Sequence, residues 1–158
     1  MTIDAFETLR SRGRIRHWGV SNFDVDDMVE LVSLPGGDRC ATNQVYYSLS
    51  ERGPGFALVP WLQQHDMVTM AYSPIDQGKL ARNAALRRLA SKRGATPAQL
   101  ALAWLTSQPG VMAIPKAASE AHLRENLASL ALKLDAADLD ELDAAFPPPR
   151  RKVALAML

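Results

Sequence analysis

The 158-residue sequence contains a single cysteine, Cys40. An internal disulfide is therefore excluded, and a reducing cytoplasm is the expected setting. Cys40 stands at the entry to an apolar segment and reads as a buried structural thiol, not a nucleophile. Charge of one sign is also missing. Eighteen Lys and Arg against seventeen Asp and Glu leave a formal net charge of +1, which argues against a nucleic-acid groove. The small basic cluster "PRRK" at 149–152 reads as a solvated tail. The N-terminus has no apolar core of the kind a signal peptide carries. The long uncharged run from Ala95 to Pro115 is interrupted by Pro109 and Gly110, so it divides into helix, turn and strand and is not a membrane span. Hydrophobic content of 47% with 22% charged residues is that of an ordinary soluble α/β protein.

Short apolar, β-branched or aromatic runs recur at Ile15–Val20, Ala41–Tyr47, Met67–Tyr72 and Val111–Ile114. Helical spacing lies between them: Val25, Met28, Val29 and Val32 share one face, as do Leu58, Trp61 and Leu62. "TPAQLALAWL" carries a start signal, with Thr96 as cap, Pro97 at the first helical position and Gln99 completing a capping box. Gly13, Gly36, Gly94 and Gly110 stand where helices should stop. Two more helical stretches, Ser119–Leu132 and Asp135–Phe146, close the chain, and Asp135 reads as the cap of the last. Strands alternating with helices imply parallel strands. Near-continuous apolar character fits strands covered on both faces. The expectation is four parallel βα units in one domain, residues 1–158, with no internal linker.

In parallel α/β folds the loops after the strands form the binding face. Those positions hold Ser21 and Asn22 after the first strand, Asn43 and Gln44 in the second, Tyr72, Ser73 and Pro74 at the third, and Lys116 after the fourth. Each also has a structural reading: an amide such as Gln44 can be a satisfied core group, and "YSP" is a common turn. Together, amides and hydroxyls can read a carboxamide, an aromatic ring can stack on a flat heterocycle, and a lysine can neutralise phosphate. The last unit is the most specific physically. A helix beginning near Ser119 offers free N–H groups and the positive end of its dipole, to which Lys116 adds a full charge.

Four segments then carry a resemblance: "GRIRHWGVSNF" at 13–23, "TNQVYYS" at 42–48, "MAYSPIDQG" at 70–78 and "AIPKAASEAHLREN" at 113–126. In this order they resemble the motif series of the aldo-keto reductases, from about residue 3 to the C-terminus. That family has a (β/α)8 TIM barrel and transfers hydride between NADPH and aldehydes or ketones, so the resemblance implies the C-terminal half of such a barrel, strands five to eight. It also implies that Ser21, Asn22 and Gln44 hold the nicotinamide carboxamide and that Tyr72 stacks on the nicotinamide. Ser73, Pro74, Ile75, Gly78 and Leu80 would line the pyrophosphate. Lys116, Ser119, Glu125 and Asn126 would surround the adenosine and its 2′-phosphate.

Two departures stand out. Ala117 occupies a position that is often serine, and His122 falls where an arginine commonly grips the 2′-phosphate. Histidine lacks the guanidinium's fixed fork and constant charge. NADP is the implied cofactor, with weakened discrimination against NAD.

The family's catalytic Asp, Tyr, Lys and His lie on strands earlier than these, and none of their motifs occurs here. Tyr46 and Tyr47 show no neighbouring lysine in the sequence. His17, inside the first strand, and His65, at a helix end, read as structural or exposed. No residue of this chain is assigned a catalytic role. A complete barrel takes about 250 residues, and four strands leave two open edges. Self-association or pairing with a separate N-terminal half is therefore expected. A non-catalytic nucleotide-binding module is the alternative reading, and an unrelated barrel enzyme acting on phosphorylated substrates the more distant one. Leu155, Met157 and Leu158 are expected either to cover a pocket or to pack on the barrel wall.

Overall fold

The computed structural model describes residues 2–158. Among these, four strands form one parallel sheet in chain order: β1 (Gly19–Ser21), β2 (Thr42–Tyr46), β3 (Val68–Tyr72) and β4 (Val111–Ala113). The register places Ser21 beside Gln44, Gln44 beside Met70, and Met70 beside Met112. Parallel neighbours require crossovers, and helices supply them: α1 (Thr2–Ser11) precedes β1, α2 (Val25–Ser33) and α3 (Leu58–Gln64) follow β1 and β2, and α4 (Ala84–Lys92) and α5 (Pro97–Thr106) join β3 to β4. After β4 come α6 (Glu120–Ala128) and α7 (Ala136–Ala145).

Strand alternation divides the side chains between two faces. Asn43, Val45, Thr69 and Ala71 are buried beneath the helices. Gln44, Met70, Tyr72 and Met112 take the opposite face, where Met112 is 48% exposed. The sheet is thus covered fully on one side only among the described residues, and not on both as the apolar runs suggest. The core is built from Met28, Leu62, Leu86, Leu100, Leu105 and Leu142, all essentially inaccessible.

The first strand is shorter than its apolar run. β1 begins at Gly19, not Ile15, because its ladder partner begins at Thr42. His17 therefore lies outside the strand and is exposed. Trp18 turns away to α1, stacking on Phe6 at 5.3 Å and donating from Nε1 to Glu7 at 2.8 Å. Gly19 is required by close approach: a Cβ there would lie 2.4 Å from the Thr42 carbonyl oxygen.

Local capping follows the sequence closely. Thr96 and Gln99 form the reciprocal capping box at the start of α5, and Asp135 and Asp138 form one at α7. Asp138 also accepts from Arg93 Nε at 2.8 Å. That bond holds its carboxyl below the ordinary 3.8, against burial, which pushes the other way. A carboxyl depressed in the fold contributes stability in full above its unfolded pKa and loses it as pH falls through the folded value. Unfolding midpoints are therefore expected to drop below about pH 4 more steeply in the unmodified chain than in Asp138→Asn. Equal acid limbs would remove this assignment.

After α7 the tail runs back across the molecule. Lys152 pairs with Asp24 at 3.1 Å and Asp26 at 3.2 Å, at the start of α2. Leu155 packs against the core, whereas Met157 and Leu158 stay exposed. Of the tail's apolar residues, packing on the wall holds for Leu155 and not for the last two. No helix among the described residues is long and apolar enough to cross a membrane.

Candidate functional site

The strand ends place the polar residues on one rim. At the end of β1, Ser21 is exposed and sits beside Gln44. Asn22 continues the ladder by one bond, its N–H donating to the Gln44 carbonyl at 2.9 Å, then turns left-handed at φ 57. Asparagine tolerates that conformation better than most residues. The Asn22 Oδ1 is buried and has no hydrogen-bond partner. An unpaired buried acceptor is costly, so this oxygen is a ready acceptor for an amide N–H.

Asn43 and Gln44, adjacent in sequence, separate here. Asn43 faces the helices with no exposure; its Nδ2 donates to the Phe23 carbonyl at 2.7 Å and its Oδ1 accepts from the Phe23 N–H at 3.4 Å. It pins the turn that carries Asn22. Gln44 faces the other way, and among the described residues the one hydrogen-bond partner of its Nε2 is the Met70 Sδ at 3.1 Å. A thioether is a weak acceptor, which leaves most of the Gln44 amide's capacity unused.

Tyr72 is half-buried at the end of β3, its ring stacked on Tyr46 at 5.7 Å with planes 19° apart. The following loop is tightly wound. Ser73, Asp76, Gln77 and Gly78 all have positive φ, and Leu80, 3% exposed, anchors its far end. Ser73, Pro74, Ile75, Gln77 and Gly78, with Ile114 and Lys116, line a groove of about 570 Å³. Lys116 is exposed at this groove and has no ion pair among the described residues.

Helix α6 supplies the remaining residues unevenly. Ser119 caps it, its Oγ accepting from the His122 N–H at 3.2 Å, and the His122 side chain is exposed. Glu125 is already engaged: its Oε1 accepts from the Thr96 hydroxyl at 2.6 Å and its carbonyl from Gln99 Nε2 at 3.2 Å. Asn126 lines a separate apolar groove with Leu123, Leu127 and Leu130. The structure thus gathers the Ser73–Gly78 loop with Lys116, sets Ser21, Asn22 and Gln44 together on the β1–β2 rim, and ties Glu125 to α5.

The tyrosines without an assigned role have polar partners. The Tyr46 hydroxyl donates to Asp76 Oδ1 at 2.6 Å, and burial, reinforced by that carboxylate, pushes it up to about 12. Tyr47 is buried beside Trp104 with its hydroxyl on Gln108 at 2.7 Å, and burial pushes it up as well. A proton donor for carbonyl reduction needs a pKa brought toward neutrality, and both are moved the other way. A lysine does stand near Tyr46 through Asp76, to which Lys79 Nζ approaches at 3.5 Å. Sequence reasoning missed this group, because 30 residues separate Tyr46 from Asp76. No group of three or more His, Cys, Asp or Glu among the described residues could hold a metal ion.

The model of the aldo/keto reductase family matches residues 1–146. The chain belongs to this family. Methylglyoxal reductase YeaE of Escherichia coli strain K12 is 49% identical over 162 residues, covering 99% of this chain and 57% of that protein. Methylglyoxal reductase DkgB of Escherichia coli O157:H7 is 33% identical over 129 residues, covering 82% of this chain and 47% of its own length. An aldo/keto reductase from Klebsiella pneumoniae, solved in complex with NADP and acetate, superposes with a TM-score of 0.96 at 46% identity, over 99% of this chain and 57% of that one. This aldo/keto reductase chain thus spans about half the length of the curated relatives it matches. Its four parallel strands are a portion of their (β/α)8 barrel.

Proposed function

We propose that this aldo/keto reductase chain is the cofactor-holding portion of an NADPH-dependent carbonyl reductase, residues 1–158 forming part of one barrel domain. The observation that carries the reading is the unpartnered, buried Oδ1 of Asn22. It stands beside Ser21 and the underused amide of Gln44, on the same rim as a lysine-flanked groove. A carboxamide at one end and phosphates farther along match the order of groups in a nicotinamide dinucleotide. The Klebsiella relative solved with NADP supports the same reading.

In this reading Asn22 and Gln44 orient the carboxamide, and Tyr72 offers its ring face to the nicotinamide. The wound loop from Ser73 to Leu80 lies along the pyrophosphate, and Lys116 and Ser119 meet the adenosine phosphate. NADPH, when bound, supplies the hydride. The relatives' names make methylglyoxal, a small 2-oxoaldehyde, the first substrate to test. The proton donor is assigned to barrel strands outside these 158 residues. Those strands would also cover the two sheet edges, each flanked by an apolar groove: Ile3, Phe6, Trp18 and Phe23 beside β1, and Leu123, Leu127 and Leu130 beside β4. The same exposed edges favour a second reading, a nucleotide-binding module that pairs with another copy of itself. A buried free Cys40 suits a cytoplasmic setting for either.

The test is calorimetry of the 158-residue chain with NADPH, then turnover of methylglyoxal by the chain alone and joined to the N-terminal barrel portion of a relative. Binding by the chain alone with turnover only in the joined protein is expected. A folded chain indifferent to NADPH would end the proposal. For His122, replacement by arginine is expected to raise the preference for NADPH over NADH by about tenfold, the worth of one charge-assisted hydrogen bond. An unchanged ratio of the two Kd values would remove His122 from the 2′-phosphate site.

A further inference from the structure

The Tyr46–Asp76 pair lies within the cofactor-holding region: the Tyr46 ring stacks on Tyr72, and Asp76 stands in the loop assigned to the pyrophosphate without being one of the residues assigned to the cofactor. Asp76 is 7% exposed and sits in the left-handed region at φ 47. Ser73 and Gln77, also non-glycine, share that conformation at φ 48 and 50. Such residues persist only where their surroundings over-determine them. Two bonds inside the loop help, Asp76 N–H to the Ser73 carbonyl at 2.9 Å and Gly78 N–H to the Ile75 carbonyl at 3.0 Å. Both are local and would move with the loop. The 2.6 Å bond from the Tyr46 hydroxyl is, among the described hydrogen bonds, the one tying the loop's side chains to β2. Lys79 also reaches Asp76, but its side chain is 71% exposed and the pair spans 3.5 Å, so it contributes little.

We propose that Tyr46 and Asp76 form a latch that holds the loop from Ser73 to Leu80 in its cofactor-receiving shape before any cofactor is bound. Tyr46 is then a positioning residue with two outputs. Its hydroxyl fixes the groove that would take the pyrophosphate, and its ring backs Tyr72, the ring assigned to the nicotinamide. A loop already ordered does not have to be ordered on binding, and affinity rises accordingly. The inference deepens the NADP reading and depends on it for affinity alone; the latch itself is a property of the unliganded chain.

Hydrogen exchange read by mass spectrometry on the unliganded chain tests the latch directly. Tyr46→Phe and Asp76→Ala are each expected to speed exchange of the amides from 75 to 80 by about tenfold, with β2 and β3 amides unchanged. Asp76→Asn, which still accepts from the tyrosine hydroxyl, should keep most of the protection; this variant guards against simple misfolding. Loop exchange unaltered in Tyr46→Phe overturns the latch. In the affinity arm, the NADPH Kd should rise by about fivefold to twentyfold in Tyr46→Phe and in Asp76→Ala, and no further in the double variant. Additive losses, or none, overturn the preorganisation. If the unmodified chain binds no NADPH, the NADP reading falls and the exchange arm still decides the latch.

Discussion

Lys116→Ala is expected to raise the Kd for NADPH by about tenfold to a hundredfold. A hydrogen bond to a charged group contributes about 1.5–3 kcal/mol, and each 1.4 kcal/mol is a factor of ten. Lys116 is suited to deliver that full effect. It is exposed at the groove lined by Ser73, Pro74 and Gly78, and no carboxylate among the described residues neutralises it. Helix α6 begins four residues after Lys116, with the positive end of its dipole at Glu120 and the His122 N–H taken by the Ser119 cap. Because this contribution is electrostatic and exposed, it is screened by salt. The unmodified chain should therefore lose affinity as ionic strength rises, and the variant should lose less. An alanine variant with the same Kd and the same salt slope would place the phosphate elsewhere.

Asn43→Leu should damage both stability and binding. Leucine has the same branching and heavy-atom count as asparagine but leaves the Phe23 N–H and carbonyl without their side-chain partner. Each orphaned buried group costs about 1–3 kcal/mol, so a loss of roughly 2–4 kcal/mol is expected in urea denaturation. The turn held by those bonds also positions Asn22, so NADPH affinity should fall with it. Asn43→Leu at full stability would mean that the Phe23 backbone finds other partners. Stability lost with affinity intact would mean that Asn22 does not touch the cofactor.

Much of this was legible beforehand. The caps at Thr96 and Asp135 were readable because capping involves residues three apart, and the structure forms both boxes. All four strands overlap the apolar runs, trimmed by one to four residues at their starts or ends, with β1 running one residue further to Ser21. Two helices were marked only by the glycines that follow them, Gly13 and Gly94. Helix α1 buries none of its residues fully, and only Ile3 and Phe6 of it pack against the core. Helix α4 did carry a signal, Asn83 as cap and Leu86, Leu89 and Ala90 at helical spacing, obscured by its arginines and lysine.

The polar residues of the candidate site could be named from the sequence, but their arrangement could not. Glu125 sits in a motif that suggests adenosine, yet in the fold it receives the Thr96 hydroxyl, a bond between residues 29 apart. Asn126 shares that motif and faces a different groove. The Tyr46–Asp76 contact has no local signature at all.

Sequence alone determined the order of the four strands, the caps at Thr96 and Asp135, the likeness to the family and the identity of the polar residues at the strand ends. The alternation and the caps depend on periodicity and on neighbours within a turn, which the chain carries wherever it folds, whereas the family likeness rests on four ordered motifs. Tertiary structure alone decided that Asn43 braces a turn while Gln44 keeps its amide free, and that Asp76 is held from β2. Those outcomes depend on strand register and on crossovers that bring residues together from 20 to 30 positions apart, and no local pattern encodes which distant partner a side chain will meet.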